Sequence, residues 1–137
     1  MKILVYHGLG QEFEKTLQDG IHFPELCEIA FIRDCNCYEF SALAWKYFSG
    51  DTVIVFIALG SEDMDCLEAT MKSLSDIKLI IKVPWDNHDL YSRALALCPC
   101  YIDQDDDSHH NIILVLEKIF QNEARKTRLG KAIPSKF

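Results

Sequence analysis

The sequence predicts an α/β fold in which a five-stranded parallel sheet lies between two layers of helix. Two observations predict it. Short apolar, β-branched runs alternate five times with amphipathic stretches of helical period. One of those runs, Thr52 to Ala58, reads Thr-Val-Ile-Val-Phe-Ile-Ala with no charged residue. Such continuity belongs to a central strand covered on both faces. With 137 residues, 49% of them apolar, the chain suits one domain with one core.

The first strand is Ile3 to Tyr6. A helix follows over Glu12 to Gln18, with Phe13 and Leu17 on one side. The second strand, Glu28 to Ile32, alternates in part. The second helix, Glu39 to Phe48, aligns Phe40, Leu43, Ala44 and Tyr47. After the central run, Ser61 to Ser73 opens with Ser61, carries Glu62 and Asp63 in its first turn, and aligns Met64, Leu67, Met71 and Leu74. Ile77 to Val83 is the fourth strand and Asn87 to Leu97 the fourth helix. Cys100 to Ile102 is a short fifth strand beginning after Pro99, which cannot donate to a ladder. In the last helix, Ser108 to Glu123, the stripe is Ile112, Leu116, Ile119 and Phe120. Right-handed crossovers between five such strands give the flavodoxin-like three-layer sandwich, order 2-1-3-4-5. The domain spans 1–123, and 124–137 is expected to be a flexible basic tail.

The formal charge is −7, and it is unevenly placed. From Arg125 onward the chain has Arg125, Lys126, Arg128, Lys131 and Lys136 and no acid, while the body before it is strongly acidic. An acidic body repels phosphate backbones, so nucleic acid is not an expected partner. No apolar run approaches the roughly 20 residues of a membrane span, and no signal peptide is legible at the amino end. A cytoplasmic location is the expectation, with the six cysteines (Cys27, Cys35, Cys37, Cys66, Cys98 and Cys100) reduced.

The opening Lys2-Ile3-Leu4-Val5 and the later Asp51-Thr-Val-Ile-Val-Phe-Ile-Ala-Leu resemble the first and third strands of response-regulator receiver domains, over about residues 1 to 122. Receivers follow the first strand with two acids that hold magnesium; His7 and Gly8 stand here. They carry a phosphoacceptor Asp at the position of Phe56. They carry Thr or Ser where Lys82 or Val83 falls, and Lys before Pro where Asp103-Gln104-Asp105 stands. The resemblance therefore implies an atypical pseudo-receiver that lacks the phosphoacceptor and works by binding rather than catalysis. It implies no cofactor.

In this fold ligands bind at the carboxyl ends of the strands. That edge should hold His7, Gly8, Asp34, Gly60, Lys82, Trp85 and Asp103 to Asp107. His7-Gly8-Leu9-Gly10 is either a phosphate-cradling turn or a plain one; it lacks both the three-glycine fingerprint and the P-loop lysine. For His7 as a proton carrier, no carboxylate partner can be named. The acids from Asp103 to Asp107 begin like a calcium loop, but Ser108 and Leu114 occupy the required glycine and glutamate positions. Asp103, Asp105 and Asp107 remain weak magnesium candidates, against a capping role for Asp107 or Ser108. His109 and His110 point in different directions from the start of the last helix.

Cys35-Asn-Cys37 and Cys98-Pro-Cys100 resemble halves of a four-thiolate zinc site. The topology puts them at opposite ends of the sheet, so structural zinc is not expected. The leading functional expectation is a signalling or regulatory protein-interaction module, with homodimerisation also open. Receivers commonly use the fourth helix, fifth strand and fifth helix, where Tyr91, Arg93 and Tyr101 are candidate anchors. The alternative is a small-molecule-binding or enzymatic domain using His7, Lys82 and the Asp103 to Asp107 cluster. No nucleophile, base and oxyanion hole assemble from the sequence.

Overall fold

The computed structural model describes residues 2–21, 27–34, 36–46, 52–74, 77–104 and 108–132, with side chains to 123. Strands β1 (Lys2–Tyr6), β2 (Glu28–Ile32), β3 (Thr52–Ile57), β4 (Lys78–Lys82) and β5 (Tyr101–Asp103) alternate with helices. The helices are α1 (Gln11–Gly20), α2 (Cys37–Lys46), α3 (Ser61–Met71), α4 (His88–Ala96) and α5 (His110–Ala132). The five strands form one sheet in the order β2-β1-β3-β4-β5, and each neighbouring pair is parallel.

The period of two along each strand divides the interior. Leu4, Tyr6, Ile54, Phe56, Leu79 and Ile81 face the layer of α2, α3 and α4, where they meet Phe40, Met64, Leu67 and Leu90. Ile3, Val5, Val53, Val55, Ile57 and Ile80 face α1 and α5, meeting Phe13, Leu17, Ile112 and Leu116. Every residue of β3 is buried, as its unbroken apolar run requires.

Helix starts are fixed locally. The Asn36 side chain accepts the Glu39 amide (3.0 Å), Asn87 accepts that of Leu90 (3.0 Å) and Ser108 that of His110 (3.0 Å). Of the two expected caps for the last helix, Ser108 performs the role, and Asp107 lies outside the described residues. At the end of α1, Gly20 permits close approach to α5. A Cβ there would stand 2.5 Å from Ile113 Cδ1.

Three expectations change. β5 runs to Asp103, so Asp103 is the last strand residue rather than the start of a loop cluster. α5 continues past Glu123 to Ala132, making the backbone of the first part of the expected tail helical. The apolar stripe stops earlier, but the sequence there is rich in the helix formers Ala, Arg, Lys and Leu. The third change concerns the cysteines. Cys37 and Cys66, expected as reduced thiols, form a disulfide with Cα atoms 5.9 Å apart. The zinc half-motifs rest on short spacing in sequence, whereas this pair joins α2 to α3, which are neighbours on one face of the sheet. Cys27, Cys98 and Cys100 are free thiols, and Cys35 lies outside the described residues.

Gly20→Val should cost about 1–3 kcal/mol through overpacking against Ile113. Adding Ile113→Ala should make the double variant lose less than the sum of the single losses in urea unfolding. Strictly additive losses would contradict this close approach.

Candidate functional site

The carboxyl edge of the sheet gathers most of the buried polar side chains. His7 leaves the end of β1 and is only 1% exposed. The Leu9 amide donates to its Nδ1 (3.2 Å), so the ring proton resides on Nε2, which donates to Glu14 Oε2 at 2.8 Å. Arg33, just after β2, grips the same carboxylate from the other side: Nε to Oε2 and Nη2 to Oε1, each 2.7 Å. The Arg33 guanidinium holds the Glu14 carboxyl below its ordinary range against the opposing effect of burial, with the His7 hydrogen bond adding to the depression. Phe13 and Phe31 flank the imidazole, with ring centres 4.9 and 5.9 Å away.

Gly10 makes this turn feasible. It precedes α1 with φ of 97°, in the region open chiefly to glycine. The phosphate-cradle reading of this turn is weakened because the Leu9 amide already serves His7. Gly8 is exposed in the same turn.

At the expected phosphoacceptor position, Phe56 is buried. Its ring lies flat on Tyr6 with centres 4.1 Å apart, and Phe40 meets it edge-on at 5.2 Å. The Tyr6 hydroxyl donates to Asp63 Oδ1 (2.8 Å), and the Leu59 amide donates to Asp63 Oδ2 (3.0 Å). This edge therefore does contain an acid, supplied by α3, but its oxygens are engaged in holding the strand end to the helix.

Lys82 closes β4 and is ladder partner to both Ile57 and Asp103. Its ammonium, almost wholly buried, faces Asp103 Oδ2 (3.5 Å), the Ser108 carbonyl (2.8 Å) and His109 Nδ1 (3.2 Å). One side chain thus ties β4, β5 and the approach to α5. Val83 is buried and donates its amide to the Asp103 carbonyl (3.0 Å).

Beside these groups lies a cavity of about 360 Å³, whose lining includes Leu9, Phe13, Leu59, Lys82, Pro84 and His109. It is bounded by α1 and by the segments leaving β3 and β4, next to the order reversal between β1 and β3. Its walls are mixed: Glu12, Thr16, Lys82 and His109 stand among the apolar residues, and the lysine charge is offset by Asp103. Leu9 and Leu59 are exposed at its rim, and Trp85, one residue beyond Pro84, is 66% exposed.

The other sequence candidates are dispersed. Tyr91 is half-buried against the α2–α4 side of the core, whereas Tyr101 is half-buried against the opposite side. Arg93 is ion-paired with Asp65 and Glu68, which fastens α4 to α3. Asp34 adopts a positive φ of 57° after β2. Asp105 and Asp107 lie outside the described residues. Among the described residues, no three His, Cys, Asp or Glu groups gather as a cation site.

Sequence reading missed Glu14 and the bonding role of Asp63. A signal was present for each: Glu14 shares the helical arc of Phe13 and Leu17, and Asp63 that of Met64 and Leu67. An acid inside an apolar arc is a sign of a buried, partnered carboxylate.

No protein-family model matches the chain, and no curated protein matches it. Among solved structures, it is similar to a protein assigned as the CpaE2 pilus assembly protein of Sinorhizobium meliloti. The TM-score is 0.63 at 14% identity, covering 85% of this chain and 98% of that one. The shared fold is the flavodoxin-like α/β sandwich with sheet order 2-1-3-4-5. At that identity the likeness concerns architecture alone. Among the described residues, no helix is long and apolar enough to cross a membrane.

Phe56→Asp should lose about 3 kcal/mol or more in denaturant unfolding, because a carboxylate would be buried among aromatic rings without a partner. A near-neutral result would mean that water reaches this position.

The Glu14–Arg33 bond predicts an acid-sensitive component of stability. A carboxyl depressed in the folded state contributes fully above its ordinary pKa, and that contribution is lost as pH falls through the folded value. Arg33→Met should therefore lessen the stability lost by wild type between about pH 6 and pH 3, followed by urea midpoints. An unchanged acid limb would contradict the assignment.

Proposed function

We propose that this chain is a phosphorylation-independent, receiver-like regulatory module that acts by binding a protein partner and performs no catalytic step. The observation that carries this reading is the occupant of the phosphoacceptor position. Phe56, stacked on Tyr6 inside the core, offers neither a nucleophile nor a metal ligand. The polar groups around it favour the same reading, since His7, Glu14 and Arg33 satisfy one another and Lys82 is engaged by Asp103 and by the approach to α5.

Leu9, Leu59 and Trp85, exposed around the cavity, favour the carboxyl edge as the contact surface. The receiver-like α4–β5–α5 surface is the competing site, with Tyr91, Arg93 and Tyr101 as its anchors. Arg93 is less available there because Asp65 and Glu68 already hold it. The similarity to a protein named for pilus assembly supports a role within a larger assembly.

A second reading rests on the cavity itself, which at about 360 Å³ has the volume of a small-molecule site at a topological switch point. A small molecule seated there would meet both apolar walls and polar neighbours, namely Glu12, Thr16, Lys82 and His109.

Incubation with acetyl phosphate and magnesium should leave no phosphoryl aspartate detectable by intact-mass analysis. Affinity capture from the native cell should then recover the same protein with and without acetyl phosphate. Leu59→Ala/Trp85→Ala should lose that protein while melting like wild type. A phosphoryl aspartate, or capture that depends on acetyl phosphate, would overturn the reading. Loss with Tyr91→Ala but not with the edge variant would move the surface to the α4 side.

A further inference from the structure

The bond between Cys37 and Cys66 joins two very different environments. Cys37 is the first residue of α2 and is exposed, next to Tyr38, which is 87% exposed. Cys66 lies within α3, is 6% exposed, and belongs to the apolar cluster that contains Phe40 and Leu67. A nucleophile from solvent can thus reach one sulfur far more readily than the other.

We propose that Cys37–Cys66 is a thiol–disulfide exchange site, attacked at Cys37, that latches the first turn of α2 to α3. This assignment is independent of the proposed partner-binding role. The reductant is a dithiol. One of its thiolates attacks Cys37 Sγ, the Cys37–Cys66 bond breaks, and Cys66 leaves with the electron pair and takes a proton from solvent. The second dithiol sulfur then attacks the first, forming the reductant's own disulfide and releasing Cys37 as a thiolate. Two electrons have passed to the protein.

The two products differ as their surroundings do. Cys66 becomes a small apolar core residue. Cys37 stands exposed at the amino end of a ten-residue helix, open to solvent. It is therefore the thiol that re-forms the bond or accepts a mixed disulfide. The free cysteines are less suited to either role. Burial pushes the thiols of Cys27 and Cys100 up, and Cys98 and Cys100 lie at the amino edge of the sheet, remote from Cys37.

The latch matters because it holds the first turn of α2, whereas the Ser41–Thr70 tie lies further along the helix. Ser41 and Thr70 share one hydrogen bond of 2.9 Å, and Phe40 and Ala44 supply buried contact. That hydrogen bond lies beyond the first turn, so reduction frees the end that carries Cys37 and Tyr38. Opening should begin there, as a local event below global unfolding.

The test uses the full chain, oxidised in air and then exposed to dithiothreitol, with cysteine states mapped by alkylation and peptide mass spectrometry. The Cys37–Cys66 bond should be present before reduction and absent after it. Wild type should melt about 10 °C lower once reduced, the effect expected for releasing a loop of this size. This comparison needs no substitution. Cys37→Ser/Cys66→Ser should melt near reduced wild type and ignore dithiothreitol. For direction, Cys37 in the Cys66→Ser variant should react with glutathione disulfide at least ~10-fold faster than Cys66 in the Cys37→Ser variant. A different disulfide in the mapped peptides, an unchanged melting temperature on reduction, or equal rates at the two thiols would each overturn the proposal.

Discussion

The constraint on which the rest depends is the dry contact between Tyr6 and Phe56 on neighbouring strands. They are ladder partners, their rings lie parallel at 4.1 Å, and Phe40 closes over both. This cluster fixes the face that β1 and β3 turn toward α2 and α3, because a slip of one residue in either strand would send these rings to the opposite layer. It also anchors α3, through the Tyr6 hydroxyl on Asp63. The same rings fill the space beneath the carboxyl edge of β1 and β3.

The remaining edge polar groups work as clamps. His7, Glu14 and Arg33 bind β1 to α1 and β2, and Lys82 binds β4 to β5 and the start of α5. Each clamp is charged, with Glu14, Lys82 and Asp103 buried and Arg33 reaching in from an exposed position. Such groups are costly to desolvate and are tolerated only when their partners are in place. They therefore specify geometry more than they add stability. What this edge leaves open is the exposed Leu9, Leu59 and Trp85 around a cavity of mixed polar and apolar lining.

Much of this was legible in the chain because periodicity reports burial directly. The run at β3, the stripes of α1, α3 and α5, and the alternation of elements led to the observed sheet order. The burial of Phe56 within β3 followed from the same unbroken apolar run. Pairings between elements were not legible. Glu14 meets His7 only because Gly10 bends the intervening turn, and Arg33 arrives from a different strand. Cys37 and Cys66 are 29 residues apart and meet through the packing of two helices, which no local spacing encodes.

The two margins of the sheet differ in a way that bears on the protein's colloidal behaviour. β5 is three residues long and presents little unpaired backbone. β2 has five residues, opens with an exposed Glu28, and stays partly accessible through Phe31. Short edges resist the addition of foreign strands, whereas longer ones invite it unless charge intervenes. Glu28 is therefore a gatekeeper on the more vulnerable margin, and self-association in the unfolding transition would proceed through β2 rather than β5.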